Sequence, residues 1–160
     1  MKSTEHKIEL IKENYGKNFK EHLLSQYKLF VGTSENITSK RLDSNKFYLT
    51  LNSVLFGISS YLTIINKTFV ILLLAIVGII ISFVWLECIF SYKRLNSAKF
   101  KVINKIEDYL PSAPFKKEDE HLQSYYKLTK IEKYVPIVFI FLYAIIFIFT
   151  GIPILIKLLS

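Results

Sequence analysis

The chain has 160 residues, a formal net charge of +8 at pH 7, and 51% hydrophobic against 21% charged residues. Its mean hydropathy of +0.33 is high for a soluble domain of this size, because a small body has much surface to hydrate. The 13 Phe and 10 Tyr exclude a disordered chain, and the single Cys excludes a disulfide framework and a cysteine-based zinc site. This composition predicts a membrane protein.

Apolar residues recur about every fourth position in the basic N-terminal region. This spacing predicts an amphipathic helix from about Thr4 to Val31, an interruption at residues 32–34, and a second helix that runs from Ser34 into the first apolar run. Two interpretations of the amphipathic helix remain open, namely packing against the second polar region or lying on the inner leaflet of a membrane.

Three long apolar runs lie at residues 47–65, 69–92 and 135–159. A helix rises about 1.5 Å per residue and the hydrocarbon core is about 30 Å thick, so about 20 residues suffice to cross it. We therefore predict an all-α integral membrane protein with three transmembrane helices. The connector at residues 66–68 predicts that the first two form a tight hairpin.

Basic residues predict the orientation of the chain and complete a four-region organisation. The predicted regions are an N-terminal cytoplasmic amphipathic helical region at 1–46, a transmembrane hairpin at 47–92, a cytoplasmic helical loop at 93–134, and a third transmembrane helix at 135–160. Nearly all Lys and Arg residues lie in the two polar regions. The positive-inside rule therefore places the N-terminus in the cytoplasm and the C-terminus outside. The same charge favours anionic lipid over nucleic acid, because acidic residues are interleaved with the lysines.

Beyond the end of the second apolar run at Tyr92, no Gly or Pro occurs before Pro111. This predicts one long helix from about Phe69 to Leu110, which the prolines at 111 and 114 end. Residues 122–128 predict a short amphipathic element. Residues 129–132 then match a capping box, and Pro136 falls in the first turn of the third span.

Catalytic patterns are absent from the sequence. The five Gly are scattered, and His6, His22 and His121 have no partner at metal-ligand spacing. We therefore expect no enzymatic activity, no cofactor and no metal site.

Glu87 is a possible polar site inside the membrane, because a carboxylate in a span is costly and often functional. Three interpretations stay open: an interfacial position within reach of headgroups or Arg94, a role at a subunit interface or pore, and proton transfer. Trp85 beside it fits an interfacial anchor.

Polar side chains recur along one face of the first apolar run, and small residues adjoin them. In lipid such groups need partners on other helices or in water. We predict a homo-oligomer in which this face lies at the subunit interface or lines a central cavity. The predicted interface or pore residues are Asn45, Asn52, Ser53, Ser59, Ser60, Thr63, Gly78 and Ser82.

A set of residues between about Tyr27 and Pro136 carries a family resemblance, which is most specific at residues 91–103. The set comprises Arg41, Asn45, residues 49–53, Trp85, residues 91–103, Glu107, Leu110, Pro111, Pro114 and residues 129–136. On these residues the chain resembles the RipA family of small octameric bacterial inner-membrane proteins. The resemblance implies an octamer with a cytoplasmic face and a setting in bacterial stress or phage defence. It supplies no catalytic residues.

Two classes of function therefore compete. In one, the chain is a structural oligomer whose cytoplasmic helices bind a partner protein. In the other, it is a channel or membrane-perturbing effector whose pore is lined by the first span. The polar face does not decide between them, because hydrogen bonding between helices and pore lining use the same residues. The expected partners are the lipid bilayer, further copies of the chain and a cytoplasmic protein, with no nucleic acid.

Overall fold

The computed structural model describes residues 13, 15–121 and 131–159. We number its helices in chain order as α1 (Phe19–Ile64), α2 (Thr68–Glu107), α3 (Pro114–His121) and α4 (Tyr134–Leu159). No strand occurs within the described residues. The predicted all-α class is confirmed.

Three of these helices are long and apolar enough to cross a membrane. The candidate spans lie in Phe19–Ile64, Thr68–Glu107 and Tyr134–Ile154. They correspond to the three apolar runs of the sequence, so the prediction of three transmembrane helices is confirmed for the part of the chain that the structure describes.

The predicted interruption of α1 at residues 32–34 is wrong, because the helix continues through them. The two hydroxyls there have partners that are compatible with a helix: Thr33 Oγ1 donates to the carbonyl of Phe30 at 2.9 Å, and Ser34 Oγ donates to Asn96 Oδ1 at 2.8 Å. The break lies instead at Gly16, whose φ of 77° is in the left-handed region that glycine adopts without strain. The part of the predicted helix from Thr4 to residue 12 lies outside the described residues.

The connection between α1 and α2 is a tight turn with a defined hydrogen-bond pattern. The Lys67 amide donates to the carbonyl of Leu62 at 3.1 Å, and the Asn66 amide donates to that of Thr63 at 3.2 Å. Asn66 has a φ of 52°. These two bonds and one left-handed residue define a Schellman motif, in which asparagine is the commonest substitute for glycine. The predicted tight hairpin is confirmed.

The long helix predicted from about Phe69 to Leu110 is present, although α2 ends three residues earlier, at Glu107. The predicted element at 122–128 and Thr129 of the predicted capping box lie outside the described residues. In α4, Pro136 occupies the first turn as predicted.

The described residues form two compact units. The polar unit comprises Met1–Asn36 and Asn96–Ser124, and the spanning unit comprises Ile37–Leu95 and Tyr125–Ser160. α1 and α2 each contribute residues to both units.

A buried carboxylate organises the polar unit. Glu107 is 2% exposed, and its two carboxylate oxygens accept the backbone amides of Phe115 and Lys116, each at 3.1 Å. These amides lie in the first turn of α3, where a helix leaves donors without internal partners. Glu107 therefore caps α3 from the end of α2, with a negative charge at the favourable end of the helix dipole.

Tyr27 of α1 completes this cluster, and its hydroxyl donates to Glu107 Oε1 at 2.9 Å. Burial, together with the adjacent carboxylate, raises the pKa of Tyr27 to about 12. The phenol therefore stays protonated, and remains a hydrogen-bond donor, at any physiological pH. Of the two interpretations of the amphipathic helix, the structure shows packing against the second polar region.

Replacing Glu107 by Ala removes the acceptor that three donors share. We expect the amides of Phe115 and Lys116 to exchange with solvent about tenfold faster or more, because an uncapped helix end and stranded donors cost about 1–3 kcal/mol. Hydrogen–deuterium exchange of the detergent-solubilised protein measures this. Asp108→Ala, which removes an exposed ion pair with Lys116, is the matched control and should leave exchange close to wild type. Equal exchange in the two variants would contradict the capping role.

Candidate functional site

Asn52 is the centre of a polar network that joins the three long helices of the spanning unit. Its side chain is fully buried. Its Nδ2 donates to the carbonyl of Tyr48 at 2.9 Å, and its Oδ1 accepts the hydroxyl of Ser82 of α2 at 2.9 Å. Its backbone carbonyl also accepts the hydroxyl of Tyr143 of α4 at 2.9 Å. One residue of α1 therefore holds both other helices.

The hydroxyls in this network are satisfied without any charged partner. Ser82 Oγ lies 2.8 Å from the carbonyl of Gly78 as well as 2.9 Å from Asn52 Oδ1, so its single proton has two acceptors. Ser59, also buried, donates to the carbonyl of Leu55 at 2.9 Å. Polar groups in hydrocarbon need such internal partners, and the network therefore offers neutral hydrogen bonding between helices.

Gly78 and Tyr143 form a close contact between α2 and α4. A Cβ atom added to Gly78 would lie 2.4 Å from Tyr143 Cζ, so the phenol ring rests directly on the backbone of α2. Tyr143 is fully buried, stacks on Phe139 and meets Phe56 edge-on. Glycine is needed here for space, because only a backbone without a side chain lets the Tyr143 hydroxyl reach Asn52.

A second layer of the network joins α1 to α2 through Asn45 and Trp85. Trp85 Nε1 donates to Asn45 Oδ1 at 2.9 Å, and the indole stacks on Tyr48 with an interplanar angle of 14°. Trp85 is buried within the unit. The expectation of an interfacial anchor is therefore wrong for this residue, because Asn45 supplies the acceptor that allows the indole N–H to be buried.

The structure separates the eight predicted interface or pore residues into two groups. Five are in or beside the network, and three are exposed on α1, where Ser60 and Thr63 donate to carbonyls one turn earlier. The first group is Asn45, Asn52, Ser59, Gly78 and Ser82, and the second is Ser53, Ser60 and Thr63. The chain's own helices thus cover the first group, and the interface or pore role stays a prediction.

Sequence reasoning missed Tyr48 and Tyr143, which are essential parts of the network. Both lie in apolar runs, where an aromatic residue reads as ordinary core or lipid contact. For Tyr143 the available signal was the hydroxyl, because a tyrosine deep in a span requires a hydrogen-bond partner on a neighbouring helix.

Glu87 lies apart from the network, on an exposed face of α2. Its Oε2 is 3.9 Å from Arg94 Nη2, as the interfacial interpretation of the sequence expects. Both residues line an open groove of about 420 Å³ together with Phe83, Val84, Cys88 and Ser91. Cys88 Sγ is also 3.6 Å from the hydroxyl of Tyr48.

Titratable residues show no metal-binding grouping in the part of the chain that the structure describes. Among residues 13, 15–121 and 131–159, no three His, Cys, Asp or Glu side chains are arranged to hold a metal ion. The expected lack of enzymatic activity and of cofactors stays a prediction.

Comparison with known proteins identified one family. The sequence model of the Octameric membrane protein family (8xMP) matches residues 24–152. The match includes the polar network, Glu107 and the groove at Glu87. Comparisons with curated proteins and with solved structures found no match.

Replacing Gly78 by Ala tests the close approach of α2 and α4. We expect the free energy of unfolding to fall by about 1–3 kcal/mol, because the added methyl group displaces the Tyr143 ring in a packed core. Thermal unfolding in detergent measures this loss of stability. It can be followed by the fluorescence of the single tryptophan, which lies beside the network. Gly32→Ala is the matched control, since a Cβ there has no atom within 4 Å. Unfolding midpoints that match in the two variants would refute the spatial requirement.

Proposed function

The chain belongs to the Octameric membrane protein family, and on that premise we propose that it is a homo-oligomeric scaffold of a bacterial inner membrane. In this proposal its basic regions form a cytoplasmic platform that binds a partner protein. The setting in stress or defence is what the resemblance implies.

The burial of Asn52 is the observation that carries the scaffold proposal. The strongest hydrogen-bonding side chain of the first span is directed at Ser82 and at the backbone of its own helix. A water-filled pore would gain most from this amide if it faced the lumen. Asn52 instead joins three helices of one chain, which favours a rigid scaffold subunit over a subunit that lines a conducting pore.

The contact between subunits is assigned to an exposed strip of small residues on α1. Ser53, Gly57 and Ser60 are spaced by one turn each and face away from the chain's own core. Nothing lies within 4 Å of a Cβ added to Gly57. Small residues let a neighbouring helix approach closely in a membrane, and this strip therefore suits a second copy of the chain.

Basic and apolar residues of the two polar regions, 1–46 and 93–134, support the proposed platform. Residues 1–46 and 93–134 contain nearly all the Lys and Arg of the chain, which under the positive-inside rule supports a cytoplasmic location for both. Leu24 and Leu29 are 43% and 64% exposed beside the exposed Lys28. A partner with an acidic rim and an apolar centre complements this surface.

A pore remains the second candidate, because Ser53, Ser60 and Thr63 are exposed along α1. Around a ring axis these hydroxyls would give a mildly polar lining. The two functions differ in the membrane potential of cells that express the protein: the pore expects depolarisation, and the scaffold expects an unchanged potential.

Replacing Gly57 by Leu tests the assigned subunit contact. We expect the oligomer to dissociate to smaller species in detergent, because the isobutyl group prevents close helix approach. Light scattering measures the mass, and tryptophan fluorescence checks that the three-helix network is intact. Gly32→Leu is the control, placed at another open glycine of α1. An unchanged mass for Gly57→Leu would remove this strip from the interface.

Thiol labelling tests the proposed orientation. In a Cys88→Ser background, we place one cysteine at the exposed Ser25 or at the exposed Lys67. A membrane-impermeant maleimide should label Lys67→Cys in intact spheroplasts and Ser25→Cys only after lysis. The reverse pattern would invert the orientation and move the platform to the other side of the membrane.

A further inference from the structure

A membrane ring of more than two copies needs two different surfaces on each chain. Copies that enter a membrane in the same orientation are related by rotation about the membrane normal, so one surface of a copy meets a different surface of the next. The strip of Ser53, Gly57 and Ser60 on α1 is one of these surfaces in the function proposed above. The other must lie elsewhere on the same chain, at the same depth in the membrane.

The strip on α1 continues into a pair of charges at the polar end of the span. Lys46 lies seven residues before Ser53, which is about two turns of helix, and so shares its face. Asp43 lies one turn further toward the polar end, and its Oδ1 is 3.8 Å from Lys46 Nζ. Both side chains are exposed. From the middle of the span toward its polar end, this face presents small residues, then a cation, then an anion.

The groove on α2 presents the charges in the opposite order. Phe83 and Val84 are exposed at its apolar end, and Arg94 lies at its polar end. Glu87 lies between them, with its Oε2 3.9 Å from Arg94 Nη2. From the middle of the span outward, this face presents apolar groups, then an anion, then a cation. The side chains of this ion pair are 74% and 75% exposed, so the pair contributes little to the stability of its own helix.

Hydrogen bonding within the chain sets the relative depth of the two charged pairs. The Ser82 hydroxyl of α2 donates to the side chain of Asn52 of α1 at 2.9 Å, so these two residues lie at similar depths. Toward the polar end, Lys46 lies six residues from Asn52, and Glu87 lies five residues from Ser82. At a rise of about 1.5 Å per residue, Lys46 and Glu87 differ in depth by only about 1.5 Å. Rotation about the membrane normal preserves this match between copies.

We propose that the groove on α2 binds α1 of a second copy of this chain. Lys46 pairs with Glu87 of the partner subunit. Asp43 pairs with the partner's Arg94, and Ser53 packs at the apolar end of the groove. A shift of either helix by one turn would bring like charges together, so the opposite charge orders fix the register. This contact rests on the homo-oligomer proposed above and supplies its second surface.

Disulfide crosslinking between two differently tagged chains tests the contact, in a Cys88→Ser background that removes the native thiol. One chain carries Lys46→Cys and the other carries Glu87→Cys. Co-expression followed by mild oxidation should give a linked species that carries both tags. Phe47→Cys with Glu87→Cys is the matched control, since Phe47 is exposed at nearly the same depth on another face of α1. The control should lose most of the linked species.

Charge reversal is a second measurement, with the oligomer mass in detergent read by light scattering. Lys46→Glu and Glu87→Lys should each shift the mass to smaller species, because like charges then face each other. The double variant should recover the wild-type mass. The ion pairs with Asp43 and Arg94 inside each chain stay broken in that variant, so recovery reports the contact between copies. Lys40→Glu, the same charge change at an exposed lysine on another face of α1, should leave the mass unchanged.

The contact is overturned if an intact oligomer gives no species with both tags, because lipid then fills the groove. It is also overturned if Phe47→Cys links as well as Lys46→Cys, or if Lys46→Cys chains link only to each other, because α1 then meets α1. Single reversals that keep the wild-type mass, or a double variant that does not recover it, contradict it as well. A monomeric wild type would overturn the homo-oligomer itself along with this contact, so the two failures are distinguishable.

Discussion

The spanning unit depends on one constraint: polar groups in hydrocarbon must find partners within the protein. Asn52 meets this constraint for three helices, since its amide binds α1 and α2 and its carbonyl receives the Tyr143 hydroxyl from α4. Apolar side chains orient helices less specifically than this hydrogen bonding does, because lipid tails are as apolar as they are. The neutral amide thus selects one arrangement of the helices, and Gly78 provides the space that this arrangement needs.

The polar unit solves a related problem with a charge. Glu107 is as deeply buried as the core of the spanning unit, yet it is surrounded by donors: two amides of α3 and the phenol of Tyr27. Burial of a carboxylate is tolerated when its oxygens are hydrogen-bonded. Each unit is therefore organised around one buried polar residue. The neutral residue, Asn52, lies among the apolar spans, and the charged residue, Glu107, lies in the polar unit.

Sequence reasoning recovers the parts of this protein that depend on average hydrophobicity. The three spans, the long α2 and the hairpin at Asn66 all follow from run lengths and from the shortness of the connector. It fails where a specific partner decides the outcome. Gly32 and Ser34 predict a break in α1, but the helix continues, and the Ser34 hydroxyl donates to the side chain of Asn96. Trp85 is typical of an interfacial residue, but its indole N–H donates to Asn45 and the side chain is buried. The sequence shows that the first span has a polar face. It does not show that this face is directed toward Ser82 and Tyr143, because that depends on how α1 is rotated about its axis relative to α2 and α4.

The left-handed turn at Asn66 also bears on how the protein enters the membrane. Only residues 65–67 connect α1 to α2. This connection is too short to span the membrane, so neither helix can insert fully while the other remains outside. In the orientation proposed above, the two helices would enter as a pair, and Lys67 would be the one charged side chain among residues 65–67 to cross the bilayer. Moving a single lysine through the centre of the membrane opposes insertion by about 3 kcal/mol, which two apolar helices that enter together can offset. In that orientation, the short turn at Asn66 would couple the insertion of α1 to that of α2.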